Sequence, residues 1–236
     1  MAATGTTSRR ERLRIETTAE IKSTALRLLA SGGPGAITLR AIAREMGMTP
    51  NAIYGYFATR DDLVTTLIND VYTSLADTVD AAIAPIPAGE PSRRIRAWGH
   101  AYRTWVFSNT EGFRLIYGDA VPGYVPPPDG AAPEAELRFC GSLTELAVAA
   151  WPHAQYLYTD SGFDWSDFDP ALVDWLRPHL PGLPPAALAL ALRIWGQLHG
   201  LVSLEIHGHL SNGAKTMDKL FQEELVQLVR SLGLPS

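Results

Sequence analysis

The chain has 236 residues, 46% of them hydrophobic and 19% charged, with a net charge of −5. That is enough apolar material for a packed core and too little charge for a disordered chain. One cysteine, Cys140, excludes an intrachain disulfide and suits a reducing cytoplasm. The net charge conceals a split: residues 1–60 hold nine Lys or Arg against four Asp or Glu, and the remainder eleven against twenty-one. A basic end on an acidic body points to a polyanionic partner at that end only. No apolar run of the ~20 residues needed to cross a bilayer stands out, and no apolar segment follows the basic start, so the expected place is the cytoplasm with no membrane partner.

In chain order, residues 1–16 form a basic arm with Arg9, Arg10, Arg12 and Arg14 and no apolar periodicity. It is either a solvated tail or an arm that lies along a DNA backbone or in a minor groove. A first helix starts near Thr17, with Ile21, Ala25, Leu28 and Leu29 on one face, and Gly32-Gly33-Pro34-Gly35 stops it. That glycine run lacks the spacing and preceding strand of a phosphate loop. Leu39, Ile42, Ala43 and Met46 then recur at helical spacing from about Thr38. Gly47 supplies a left-handed stop, Thr49 an N-cap and Pro50 a first helical residue, opening another short helix through Phe57. Two short helices around a glycine turn make either an ordinary helical hairpin or a helix-turn-helix. The second helix buries Ile53 and Phe57 and leaves small, amide and hydroxyl groups outward, which suits base edges and phosphates.

Thr59 caps a longer helix to about Ala84, with Asp61 and Asp62 in its first turn and Leu63, Leu67, Val71 and Leu75 on its apolar face. After a break at residues 85–89, a helix from Pro91 to about Phe107 carries Trp98, Tyr102 and Trp105, and Asn109 caps a shorter one with Phe113 and Tyr117. Residues 121–130, rich in proline, read as an extended loop, either a lid or a surface connection. Helices follow over Pro133–Ala150, Pro170–Leu180, Pro185–His207 and Ala214–Leu232, with an irregular aromatic stretch from Trp151 to Phe168. Cys140 falls inside an apolar helix and reads as buried. No strand pattern occurs, so the fold class is all-α. The helix after Pro185 is apolar on two sides and must be covered on both. With surplus apolar surface on the last two helices, a second copy of the chain is the expected cover.

The order from Ala43 to Phe57, in which Gly47-Met48-Thr49 precedes Ala52-Ile53-Tyr54 and Tyr56-Phe57, resembles the N-terminal domain of the TetR family of transcriptional regulators over roughly residues 17–65. Trp195, His199 and Gly200 also match the Trp-x-x-x-His-Gly signature of one C-terminal subgroup of that family. The resemblance implies a three-helix DNA-binding domain at 17–62 and a larger helical effector-binding and dimerisation domain at 63–236. It further implies a homodimer built by the last two long helices, an inverted-repeat operator in duplex DNA, and a small-molecule effector, most simply one that releases a repressor.

Carried over by position, the DNA contacts fall on Arg40, Thr49, Pro50, Asn51, Ala52, Tyr54, Tyr56 and Arg60. Ala52 stands where many relatives carry a hydroxyl residue, which removes one polar contact. The aromatic residues Trp98, Tyr102, Trp105, Phe113, Tyr117, Phe139 and Tyr156, with His199 as a polar group, are either core or the wall of an apolar effector pocket. Arg103 and His100 are further polar candidates. Leu190, Ile194, Leu198, Leu201, Phe221, Leu225 and Leu228 are the expected dimer contacts. His207-Gly208-His209 lacks partners at ligand spacing, so no metal is expected, and no cofactor is implied. No nucleophile elbow, His-Glu-x-x-His or phosphate loop is present, so an enzyme is the weaker alternative, beside a DNA-binding regulator without effector.

Overall fold

The computed structural model describes residues 8–210, 213 and 215–235. Packing divides the chain into two units, one made of residues 1–71 and 109–133, the other of 72–108 and 134–236. The boundary expected between residues 62 and 63 therefore falls inside a helix. Among the described residues the secondary structure is helical throughout, without strands.

The first unit begins with α1 (Arg9–Gly32), capped by Ser8, whose side chain accepts from the Glu11 amide. The expected arm is thus helical from Arg9 onward, and residues 1–7 lie outside the described residues. The early turns were hidden from periodicity because Leu13 and Ile15 are exposed and the other positions are charged or polar. Ile21, Thr24, Ala25 and Leu29 are the buried residues of α1. It packs on α2 (Leu39–Glu45) and on α6 (Thr110–Tyr117). Thr38 caps α2 by accepting from the Ala41 amide, and Gly47 at φ 65° ends it. The Gly47 and Met48 amides return to the Arg44 and Ala43 carbonyls, closing a Schellman turn.

Thr49 accepts from the Ala52 amide and opens α3 (Pro50–Ile53). Beyond Ile53 the chain continues in tighter turns, with amides of Gly55 and Tyr56 bonded to carbonyls three residues back, so the regular helix is shorter than the expected run to Phe57. The next helix, α4 (Arg60–Ile83), contributes its first half to this unit and its second half to the other. Thr59 and Asp62 exchange side-chain-to-amide bonds of 3.0 Å at its start. Against α4, α6 comes so close that a Cβ on Gly112 would meet Val71 Cγ2 at 3.2 Å.

The second unit contains α5 (Pro91–Ser108), α7 (Pro133–Ala154), α8 (Pro170–His179), α9 (Pro185–Ile206) and α10 (Met217–Ser231). Short 3-10 turns at Gln155–Tyr158 and Trp165–Asp167 lie in the stretch expected to be irregular. A Cβ on Gly99 would meet Leu225 Cδ2 at 2.5 Å, so glycine lets α10 press onto α5. Cys140 on α7 is exposed, not buried as its apolar neighbours suggested.

The helix α9 bears on two expectations. It is long and apolar enough to cross a membrane by length and composition. Many of its apolar residues are nonetheless core: Ala187 to Ala191, Ile194, Leu198 and Val202 are buried in the chain itself. The expected dimer contacts Leu190, Ile194 and Leu198 are among them, and Phe221, Leu225 and Leu228 of α10 are equally buried, while Leu201 is half-buried. Apart from Leu201, these side chains have their apolar cover within the chain. The apolar side chains left outside are Leu192 and Leu204 of α9 and Leu220 of α10.

Arg103 ties three helices of this unit. Its Nε and one terminal nitrogen donate to the Glu205 carboxylate at 2.8 and 2.5 Å, and the other reaches Asp218 at 2.8 Å. The guanidinium also lies over the Phe107 and Phe221 rings. These hydrogen-bonded carboxylates hold the guanidinium pKa above its ordinary value, with the Glu205 bond the largest cause. Arg103→Met leaves the mostly buried Glu205 uncompensated and is expected to lower stability by about 2–3 kcal/mol. Arg103→Met combined with Glu205→Leu should recover most of the loss. Urea unfolding checks this; equal midpoints for the wild type and Arg103→Met would refute the clamp.

Candidate functional site

In the first unit, burial of Ile53 and Phe57 fixes which side of the α3 segment faces out. Thr49, Pro50, Asn51, Ala52 and Tyr54 are exposed, as is Arg40 on α2, and Tyr56 is half-exposed. The exposed groups offer an amide at Asn51, phenol hydroxyls at Tyr54 and Tyr56, and a guanidinium at Arg40. The amide fits a base edge or a phosphate, the others fit phosphates, and Pro50 and Ala52 present only carbon, which suits a thymine methyl. All eight expected contacts share one unit, Tyr56 and Arg60 half-buried and the other six exposed.

Arg60 also has partners within its own unit. Its Nε donates to the Ile37 carbonyl at 2.6 Å and one terminal nitrogen to the Pro122 carbonyl at 2.8 Å, with a longer 3.5 Å contact to the Pro34 carbonyl. The side chain folds back over its own unit rather than outward. From the sequence, a cation at a helix start reads as a phosphate contact, because nothing local shows a carbonyl 62 residues away. The same loop is held by two further bonds: Tyr124 Oη lies 2.9 Å from Thr65 Oγ1, and the Val125 amide donates to Asp61. The proline-rich stretch is therefore fastened to the start of α4. Proline at 122 signals a carbonyl with no competing amide, but not where it points.

The effector candidates divide. Trp98, Tyr102, Phe139 and His199 come together in the second unit, and Trp195 completes the cluster with ring centroids 4.7–6.4 Å from all four. Trp195 was not among the expected pocket residues, although its spacing of four from His199 puts both on one helix face. Trp98 donates its indole N–H to Ser142 at 2.9 Å. Trp105 is buried nearer α4 and donates to Ser74 at 3.0 Å. Phe113 and Tyr117 belong to the first unit, their rings 5.3 Å apart. Tyr156 stands exposed on the turn after α7. Arg103 is engaged by its carboxylates.

Tyr102 Oη lies 2.8 Å from His199 Nδ1. Burial, with Tyr72 adding to it, raises the phenol pKa well above its usual range. Burial likewise lowers that of His199, helped by nearby His207, so the neutral ring is favoured. The two polar atoms of this pair satisfy each other inside the aromatic cluster.

Two outcomes are expected. Arg60→Ala should lower stability without any DNA present, by about 1.5–3 kcal/mol, because hydrogen bonds from a charged donor are lost and the carbonyls lose their partner. Thermal unfolding of the free protein checks it, and an unchanged midpoint would return Arg60 to a purely DNA-facing role. For His199 the folded pKa lies below the unfolded value of about 6.5, so the unfolded chain binds the proton first as pH falls. Stability contributed by the neutral ring is present above about pH 6.5 and declines on acidification until the folded pKa is passed. His199→Gln should flatten that decline; an identical pH profile would remove His199 as its source.

Residues 21–67 match the model of bacterial regulatory proteins of the tetR family, and residues 95–228 match the tetracyclin repressor-like C-terminal domain. The chain is 33% identical over 211 residues to the HTH-type transcriptional regulators Mb1846 of Mycobacterium bovis and Rv1816 of Mycobacterium tuberculosis, covering 88% of this chain and 88% of each of those. Among solved structures, the candidate regulatory protein SCO4313 aligns with a TM-score of 0.72 at 32% identity, over 94% of this chain and 100% of that one. A tetR-family regulatory protein from Rhodococcus RHA1 shares the fold, with a TM-score of 0.61 at 21% identity over 94% and 99% of the two chains. With its helix-turn-helix and its C-terminal domain both matched, the chain belongs to the TetR family and is a DNA-binding transcriptional regulator.

Proposed function

We propose that the protein is a ligand-responsive repressor of the cytoplasm that binds an inverted-repeat operator as a homodimer and is released by a small, largely apolar effector. The observation that carries the DNA part is the outward presentation of Thr49, Pro50, Asn51, Ala52 and Tyr54 over a buried Ile53 and Phe57. The N-terminal residues of the second helix are those that meet bases in helix-turn-helix docking.

For the dimer, the supporting feature is a stripe on α9 at spacing four: Leu192, Gly196, Gly200 and Leu204. Leu192 and Leu204 are 50% and 45% exposed, and a Cβ on either glycine would meet open space. Such a stripe lets a second helix approach closely while its leucines supply apolar area. Leu220 on α10 extends the apolar supply. Because Leu190, Ile194, Leu198, Phe221, Leu225 and Leu228 are buried within the chain, we propose this outer face for the contact instead. For the effector, the support is the Trp98, Tyr102, Phe139, Trp195 cluster with its single polar pair. Because α4 is one continuous helix from Arg60 to Ile83, a displacement of its second half is carried into its first. A coupling of about 1–3 kcal/mol would change operator affinity about 5–150-fold.

The test is selection of bound duplexes from a random library, followed by affinity and mass measurements. The selected sites should be inverted repeats with half-sites about 34–36 Å apart or a near multiple. Asn51→Ala should weaken binding and relax preference at particular bases by ~1–3 kcal/mol. Leu204→Glu should leave the fold intact, give a monomer and reduce operator affinity steeply. A protein that retards no duplex refutes the repressor reading, and a dimer unaffected by Leu204→Glu refutes the α9 face.

A further inference from the structure

The first two turns of α1 are unusual for a helix that must stabilise itself. Arg9, Arg10, Arg12 and Arg14 crowd the N-terminal end, where the helix dipole disfavours cations, against Glu11 and Glu16. Arg9, Arg10 and Arg14 are exposed, and none of them has an ion pair among the described residues. Like charges at the positive end of a helix raise its free energy, and an approaching polyanion would lower it.

The direction of two of these arginines is set by helix periodicity. Ile21 and Ala25 are buried on a helix that packs on α2 and α6; Arg14 lies two turns before Ile21, and Arg10 one turn before Arg14. The stripe that is apolar inside the unit thus becomes cationic where α1 runs past the core. Its far end stands about 16 Å beyond Ile21 along the axis. Arg14 already touches the reading segment, its guanidinium centred 5.4 Å from the Tyr56 ring. Tyr56 is one of the exposed-side residues with a hydroxyl suited to a phosphate.

We propose that residues 9–16 are a rigid helical extension of the DNA-binding face, in which Arg10 and Arg14 bind phosphates of the duplex backbone next to the segment that α3 reads. The inference rests on the DNA-binding reading above and deepens it. The partner is the sugar-phosphate backbone and not the base edges: the residues are held on a helix and present no amide or apolar wedge on that stripe. An anionic membrane fits less well. Leu13 and Ile15 are the exposed apolar residues there, and two positions apart on a helix they face different ways, so no apolar face forms.

The experiment uses the full chain with Arg10→Gln and Arg14→Gln together, and separately with both changed to Lys. Affinity is measured against salt on two probes, the duplex selected from a random library and a short mixed-sequence duplex without the repeat. The Gln pair should reduce the slope of log affinity against log salt by roughly 2, at about 0.9 per phosphate contact, on both probes, with the ranking of sequence variants unchanged. The Lys pair should keep the slope, because either cation neutralises a phosphate. Helical content by circular dichroism should match the wild type in both. A slope unaltered by the Gln pair overturns the proposal while leaving the DNA-binding reading standing. So does a loss confined to particular base steps, or an arginine-dependent affinity for phosphatidylserine vesicles with DNA slopes unaltered. Failure of the wild type to retard either duplex overturns the reading beneath it.

Discussion

The first unit turns on one guanidinium. Arg60 begins α4, and its donors gather carbonyls from the α1–α2 connection, at Pro34 and Ile37, and from the proline-rich segment, at Pro122. Carbonyls at the ends of helices and in proline-rich turns lack regular partners, and a planar group with five donors can satisfy several at fixed angles. Asp61 and Thr65 on the same helix end hold the neighbouring Val125 amide and Tyr124 hydroxyl. The position of α2, and through the Gly47 turn that of α3, therefore depends on where α4 starts. A base-reading surface needs its side chains held to fractions of an ångström, and this convergence of polar contacts provides a fixed origin.

The second unit relies on different physics. Its centre is a triangle of rings, Trp98, Tyr102 and Phe139, with centroids 5.3 to 6.1 Å apart and Trp195 edge-on to them, each pair within the range where aromatic quadrupoles attract. A subsidiary core around Phe168, Val173, Leu176 and Leu183 packs under α8, where Gly141 lets the Trp175 ring come within 2.7 Å of a would-be Cβ. Arg103 then joins α5, α9 and α10 at one side. Rings pack with few rotamers, so such a wall changes shape in discrete steps rather than continuously.

Periodicity exposed the helices, the Thr-Pro start of α3 and the outward set around Asn51, because each of those is written within a few consecutive residues. What it could not show depends on which surface covers which. Apolar residues on two sides of α9 announce two neighbours, but Leu190, Ile194 and Leu198 meet their own chain, and only Gly196 and Gly200 between Leu192 and Leu204 hint at an open side. The beginning of α1 escaped notice because arginines replaced the apolar residues that would have marked the period. Arg60 illustrates the same limit for polar groups: its partners are 23 to 62 positions distant.

The reading unit is discontinuous in sequence, since residues 1–71 are completed by residues 109–133. Phe113, Leu115 and Val121 from that later segment are buried, and Pro122 supplies one of the carbonyls that Arg60 holds. Chimaeras that exchange DNA specificity between relatives by one crossover in α4 would pair a foreign helix-turn-helix with a resident α6 and proline-rich loop. A compatible exchange needs two crossovers, or a donor whose own Arg60-like clamp fits the recipient's loop. Specificity and that remote segment are thereby bound to change together, and the protein is less modular than its order along the chain suggests.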